Sequence, residues 1–264
     1  MIMRQKEARI MDKKELPIAV FDSGLGGISV LKELMRIMPE EHYLYFGDSI
    51  NAPYGTRTTE EVSVLTLNAA AMLYERGIKA LVVACNTATA AAITQIREEY
   101  PNLIVVGIEP ALKMATDRFP RGHVGIMATQ VTLREEKLEH LVCRFPDATV
   151  EKIPAPGLVE LVEQGKLDTE ETEQLLRGIL QPYIGQLDAI VLGCTHYPFV
   201  KKTVQKILGD EVQVLDGGAG TARQTCRLLE EKNLRRSSGT GSLKMENSSG
   251  RQELLDLAME LLQK

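Results

Sequence analysis

No apolar stretch in this 264-residue chain approaches the roughly 20 residues that a membrane-spanning helix needs. Basic charge is not in excess either. Thirty-one Lys and Arg face 36 Asp and Glu, the signs are interspersed and the net charge is −5, which argues against a dedicated nucleic-acid surface. Cysteine is scarce. The four present (Cys85, Cys143, Cys194 and Cys226) show no C-x-x-C spacing, so they do not read as a disulfide framework, and free thiols in the cytoplasm are expected. A complete dinucleotide fingerprint is missing as well: in Gly24-Leu25-Gly26 the third glycine of the motif would fall at Ser29. Residues 1–17 are charged and lack an apolar segment, so they read as a frayed extension rather than a secretion signal, with Met11 an alternative start.

What the chain has is ample core: 44% apolar and 25% charged residues. Short runs rich in Val, Ile and Leu predict eight strands, at Ile18–Phe21, Tyr43–Phe46, Ala80–Ala84, Ile104–Ile108, Val124–Met127, Thr149–Ile153, Ala189–Leu192 and Val212–Leu215. The runs are mostly continuous rather than alternating, as parallel strands buried on both faces should be. Helical patterns lie between them at Gly27–Met38, Glu60–Arg76, Ala88–Tyr100, Leu133–Phe145, Thr169–Tyr183, Val200–Leu208 and Thr221–Glu230. Such alternation predicts an α/β architecture with parallel sheets. Asp22-Ser23 in the first half is echoed by Ala128-Thr129 in the second, and Cys85 by Cys194, at nearly equal intervals. Two similar, duplicated α/β domains with a site between them are therefore expected. The boundaries are 18–108 plus 216–264 for the first and 109–215 for the second; a single sheet is the alternative. The Ser- and Gly-rich Arg235–Gly250 reads as an exposed loop, and Gln252–Gln263 as a last amphipathic helix.

Two of the cysteines end strand runs in the same way. Leu81-Val82-Val83-Ala84-Cys85-Asn86-Thr87 and Ile190-Val191-Leu192-Gly193-Cys194-Thr195-His196 each pass from apolar residues into a cysteine and small polar residues. Ligands of α/β proteins lie at the carboxyl ends of strands, so the two thiols can face one pocket from opposite sides. Opposed thiols suit removal of a proton from one face of a carbon and its return to the other, a racemisation or epimerisation. Asn86 and Thr87 are good helix starts, and a cysteine there is expected to feel the positive helix end and have its pKa drawn towards neutrality. The plainer reading is a small apolar cysteine closing a strand. Cys194 and His196 could supply two zinc ligands, but no C-x-x-C or H-x-x-x-H partner accompanies them. Phe21-Asp22-Ser23-Gly24 is a glycine turn aiming Asp22 and Ser23 into a cleft, or else a simple helix cap. Further candidates are Phe46-Gly47-Asp48-Ser49 at a strand end, Asn51-Ala52-Pro53-Tyr54-Gly55, Thr129 with Thr132 at a helix start, and Glu109-Pro110.

Taken together, Phe21-Asp22-Ser23-Gly24-Leu25-Gly26-Gly27, Pro53-Tyr54-Gly55, Cys85-Asn86-Thr87 and Cys194-Thr195-His196-Tyr197-Pro198 resemble the signature of the bacterial glutamate racemases, within the aspartate/glutamate racemase superfamily. The match runs in order from about Pro17 to about Leu229. The resemblance implies a racemase of two α/β domains that works without cofactor or metal on a small-molecule substrate, L- or D-glutamate, and supplies D-glutamate for peptidoglycan. It implies that Cys85 and Cys194 are the acid and base, assisted by Asp22, Glu109 and His196. By the same resemblance Asp22, Ser23, Pro53, Tyr54, Gly55, Asn86, Thr87, Thr129, Thr132, Thr195 and His196 contact substrate. Sister aspartate racemases typically carry Glu where this chain has His196, which favours glutamate. Gly217-Gly218-Ala219-Gly220 departs from the family's usual Ser-Gly-Ala-Glu, at a place that bears on the domain interface or assembly more than on the chemistry, and a homodimer is one assembly open to the chain. The alternatives are racemisation of aspartate or another acidic amino acid, a small-ligand binding protein without chemistry, and a redox or zinc protein.

Overall fold

The computed structural model describes residues 13–109, 111–134 and 136–264. The first half alternates β1 (Ile18–Asp22), α1 (Ile28–Ile37), β2 (His42–Gly47), α2 (Thr59–Glu75), β3 (Ala80–Val83), α3 (Asn86–Glu99) and β4 (Ile104–Gly107). The second continues with α4 (Leu112–Arg118), β5 (His123–Ala128), α5 (Gln130–Arg134), α6 (Glu136–Cys143), β6 (Thr149–Pro154), α7 (Leu158–Glu163), α8 (Glu170–Leu180), β7 (Ala189–Leu192), α9 (Lys201–Leu208) and β8 (Gln213–Asp216). The chain ends with α10 (Gly218–Glu231), β9 (Ser242–Asn247) and α11 (Gln252–Gln263). All strand pairs are parallel, in two sheets ordered β4-β3-β1-β2-β9 and β6-β5-β7-β8. Without β9, the two orders superpose one for one: β1 on β5, β2 on β6, β3 on β7 and β4 on β8. Two α/β units of the same winding result.

The strands are apolar throughout because both faces are covered. Along β1, Ile18 and Val20 join one apolar cluster while Ala19 and Phe21 join another, as the two-residue period of a strand requires. The first of these clusters contains residues of both sheets, including Val82, Ile153 and Ile190, so the units share packed apolar surface. The β1–β3 register sets Phe21 beside Val83 and carries Asp22 and Cys85 to the same carboxyl edge.

The eight expected strands are all present, and the expected loop over Arg235–Gly250 is interrupted by one more. Ser242–Asn247 is the ninth strand, paired in parallel to β2. Its composition misled because it is an edge strand. Leu243 and Met245 pack against the core, while Lys244 and Glu246 alternate with them and make ion pairs at the surface. The frayed extension is also corrected in part: residues 1–12 lie outside the described residues, but Lys13–Glu15 form a short 3-10 turn. The Lys14 carbonyl accepts a bond from the buried Lys79 ammonium, and Glu15 pairs with Arg236. The pattern over Thr169–Tyr183 changes to a 3-10 turn at Gln181–Tyr183, where Pro182 removes a donor. Helices α4 and α7 were not anticipated. Among the described residues, no helix is long and apolar enough to cross a membrane.

Candidate active site

A cavity of about 190 Å³ opens at the carboxyl ends of both sheets, with Cys85 and Cys194 in its wall. Cys85 follows β3 and caps α3: its Sγ accepts the Ala88 N–H at 3.4 Å and lies 3.4 Å from Ser23 Oγ. Cys194 follows β7 from the other sheet, with its Sγ 3.6 Å from His196 Nδ1. Both thiols are nearly buried. The parallel strands explain the placement, since a chain leaving a parallel strand must turn at its carboxyl edge to enter the crossover.

The cysteines sit in different electrostatic settings. Burial pushes the Cys85 thiol up to about 12, and the nearby Asp22 charge adds to this; the Ser23 and Ala88 hydrogen bonds oppose it without prevailing. The expected lowering by the helix start is therefore overturned, because desolvation of a thiolate outweighs one backbone N–H. Beside Cys194 stands His196. Burial alone would push this imidazole down, but hydrogen bonds and charges from Cys194 and Glu163 together hold it well above its ordinary value. Its Nε2 lies 2.6 Å from Glu163 Oε1. That oxygen also accepts the Leu25 N–H at 2.6 Å, so one carboxylate in the second unit holds both the imidazole and the glycine turn of the first. Burial raises Glu163, but the His196 hydrogen bond and charge and the Leu25 N–H outweigh it and leave its carboxyl below the ordinary range.

Asp22 is fully buried at the end of β1. One of its oxygens accepts the Gly24 N–H at 3.0 Å and the other the Thr195 hydroxyl at 3.1 Å, a second bond between the units. Burial raises its pKa, with the His196 charge acting against the rise. Such close approach explains Gly26. A Cβ there would lie 2.4 Å from Thr195 Oγ1 and 2.5 Å from His196 Nδ1, closer than van der Waals contact permits.

Most of the sequence-predicted residues converge here. Ser23, Pro53, Tyr54, Gly55, Asn86, Thr87, Thr129, Thr195 and His196 line the same cavity as the two cysteines. Thr87 from one unit meets Thr129 at 3.2 Å and Thr132 at 3.3 Å from the other, a cluster of hydroxyls suited to an oxyanion. Thr132 supports the cavity from behind and lines a neighbouring one instead. The Tyr54 hydroxyl donates to Asp48 at 2.7 Å, so it is anchored to a buried carboxylate just past the end of β2. Glu109 is exposed and lies outside the cysteine cavity, and the adjoining Pro110 lies outside the described residues. The carboxylate that meets His196 is Glu163. It was missed because Leu158-Val159-Glu160-Leu161-Val162-Glu163 reads as a short amphipathic helix with surface charges, and its partner is 33 positions away. Among the described residues, no group of three or more His, Cys, Asp or Glu is placed to hold a metal ion.

Comparison with known proteins yields a consistent set of relatives. The family model described as Asp/Glu/Hydantoin racemase matches residues 25–225. The chain is 46% identical over 256 residues to a glutamate racemase of Clostridium botulinum, covering 96% of this chain and 99% of that protein. It is similar to the crystal structure of a Bacillus anthracis glutamate racemase isoform, with a TM-score of 0.87, 30% identity and 95% of each chain covered. It is also similar to a Francisella tularensis glutamate racemase solved in complex with D-glutamate, with a TM-score of 0.84, 27% identity and 95% of each chain covered.

Proposed function

The chain belongs to the Asp/Glu/hydantoin racemase family, and from that premise we propose that it interconverts L- and D-glutamate by proton transfer between two cysteines. The observation that carries this reading is the position of Cys85 and Cys194, each at the end of a strand of a different sheet and both in the wall of one cavity. One thiolate removes the α-proton from its face of the substrate. The C–H electron pair is left on the α-carbon, and the opposing thiol returns a proton to the other face. The first cysteine ends as thiol and the second as thiolate, so reversal exchanges their roles.

The α-proton of an amino acid is a very weak acid, which makes the basicity of the thiolate and the stabilisation of the carbanion decisive. Burial has made Cys85 a strong base once deprotonated. The substrate ammonium, brought beside it, supplies the positive charge that the site otherwise withholds there. On the other side the His196 imidazolium, held by Glu163, supplies positive charge next to Cys194. The Thr87 and Thr129 hydroxyls, backed by Thr132, and the N–H groups of the α3 start are donors for the α-carboxylate, on which negative charge grows as the proton leaves.

In this reading no cofactor or metal takes part, and the chain works as two bodies, 18–108 with 216–264 against 109–215, that enclose the substrate and exclude water. The protein acts in the cytoplasm, as a monomer or a homodimer, and supplies D-glutamate for peptidoglycan synthesis. The test is exchange of the α-proton of L- and D-glutamate with deuterated water, without added cofactor and with aspartate run in parallel. Exchange of both glutamate enantiomers, faster than of aspartate, is expected; no exchange, or faster exchange of aspartate, refutes the assignment.

A further inference from the structure

The loop Asp48–Arg57 that follows β2 brings Pro53, Tyr54 and Gly55 to the wall of the cysteine cavity. Its only regular element is the 3-10 turn Tyr54–Thr56, so its order depends on bonds made by side chains and by neighbouring backbone. Some of these are internal. Asp48 accepts the Tyr54 hydroxyl at 2.7 Å and the Asn51 amide at 3.1 and 3.0 Å, and Arg57 Nε donates to the Asn51 carbonyl at 2.8 Å. They give the loop its shape but leave Ser49 and Ile50, at its outer side, to be held from elsewhere; the Ile50 side chain is 67% exposed.

The carboxyl end of β9 supplies that hold. Gly47 and Asn247 are partners in the last rung of the β2–β9 ladder, and the Ser248 N–H donates to the Gly47 carbonyl at 2.9 Å. Beyond this rung side chains take over. Asn247 Nδ2 donates to Ser49 Oγ at 2.8 Å, while its Oδ1 accepts the N–H and the hydroxyl of Ser249 at 3.0 and 2.6 Å. The amide is thereby fixed with its donor aimed at the loop. The Ile50 N–H donates to Ser248 Oγ at 3.0 Å. Both contacts join residues 198 positions apart, so nothing local produces them. Gly47 permits the approach: a Cβ there would lie 2.5 Å from the Gly24 carbonyl oxygen and 3.2 Å from Asn247 Nδ2.

We propose that Asn247 and Ser248 are positioning residues for the reaction: they pin Ser49 and Ile50, and so hold Pro53, Tyr54 and Gly55 in place against the substrate. Neither lines the cavity. They act through the loop, whose far end packs closely on the second unit, since a Cβ on Gly55 would lie 2.9 Å from Thr129 Cβ. A loop released at Ser49 and Ile50 spreads over several conformations, and apparent affinity falls by the fraction that still fits the substrate. Cys85 and Cys194 follow β3 and β7 and keep their places. The loss therefore falls on KM, equally for both enantiomers, and not on kcat. The kinetic consequence rests on the racemase reading; the pinning of the loop does not.

The experiment breaks each contact singly in the full chain. Ser248→Ala removes the acceptor for Ile50, and Ser49→Ala removes the acceptor for Asn247. Each should raise KM for L- and D-glutamate about three- to tenfold, the effect of losing one hydrogen bond, with kcat changed by less than about twofold. Ser248→Thr keeps the hydroxyl and should restore KM. The loop is read separately by limited trypsin digestion and mass spectrometry, because Arg57 is the only Lys or Arg between Arg36 and Arg76. Cleavage after Arg57 should be about three- to tenfold faster in Ser248→Ala, following the population of the released loop. Lys244→Ala, an exposed position on the same strand, should leave cleavage and KM unchanged. KM unchanged in Ser248→Ala, a fall in kcat in place of the rise in KM, no recovery in Ser248→Thr, or cleavage at the wild-type rate would each overturn the proposal. Proteolysis needs no turnover, so it tests the pinning even if the racemase assignment fails.

Discussion

Replacing Glu163 by Gln keeps the shape of the side chain and removes its charge, so the variant isolates what that charge does. In the native protein Oε1 accepts N–H groups from His196 and Leu25, each at 2.6 Å, and the side chain is 18% exposed. A hydrogen bond with a charged partner contributes about 1.5–3 kcal/mol. If that stabilisation supports the imidazolium beside Cys194 in the transition state, its loss lowers kcat by about ten- to a hundredfold. The effect should fall mainly on the direction in which Cys194 takes the proton, that from L-glutamate. Burial, the largest influence on His196, then acts with less opposition, so the alkaline limb of the pH–rate profile should move to lower pH. Stability follows with definite signs. The His196 value is raised on folding, so its contribution is complete below the ordinary 6.5 and is lost as pH rises through the raised value. The Glu163 value is depressed, so its contribution is complete above the ordinary 4.5 and is lost as pH falls through the depressed value. The stability difference between wild type and variant should thus be greatest between these two ordinary values. Circular dichroism of glutamate from each enantiomer across pH, with denaturant unfolding at matched pH, measures both. A pH–rate profile that superimposes on that of the wild type would refute the argument.

Further outcomes can be stated more briefly. Cys85→Ala and Cys194→Ala should each lower racemisation by at least about 10²–10⁴-fold with unchanged far-ultraviolet circular dichroism; near-normal rates in both would sink the two-thiol mechanism. Cys85→Ser should enlarge the α-deuterium isotope effect mainly for D-glutamate and Cys194→Ser mainly for L-glutamate, and the reverse pattern would invert the assigned handedness. Iodoacetamide should inactivate the enzyme and glutamate should protect it, whereas dialysis against a chelator should leave the rate unchanged. Lys79 and Glu41 form an ion pair with both side chains fully buried, and Lys79 also donates to the carbonyls of Lys14 and Leu234. Lys79→Met should therefore cost about 3–5 kcal/mol by leaving a buried charge unpaired, read as a shift of the urea midpoint, with much of the loss recovered in Lys79→Met with Glu41→Leu.

The elements, and the strand ends at which chemistry occurs, were legible in one dimension. Val, Ile and Leu in short continuous runs specify strands covered on both faces, and Cys85 and Cys194 stand where those runs stop. The echo between the halves was legible because the same winding demands the same local residues twice. Ser242–Asn247 was not legible, because an edge strand alternates with charge and resembles a loop until β2 is beside it. Tertiary structure alone decided which carboxylate meets His196. Glu109 and Glu163 are equally plausible in one dimension, and only the packing of α7 against the glycine turn brings Glu163 to the imidazole. The basicity of the Cys85 thiol was decided in the same way. A helix start favours a thiolate locally, but desolvation depends on everything packed around Cys85, and for a nearly buried sulfur that sum outweighs the local term.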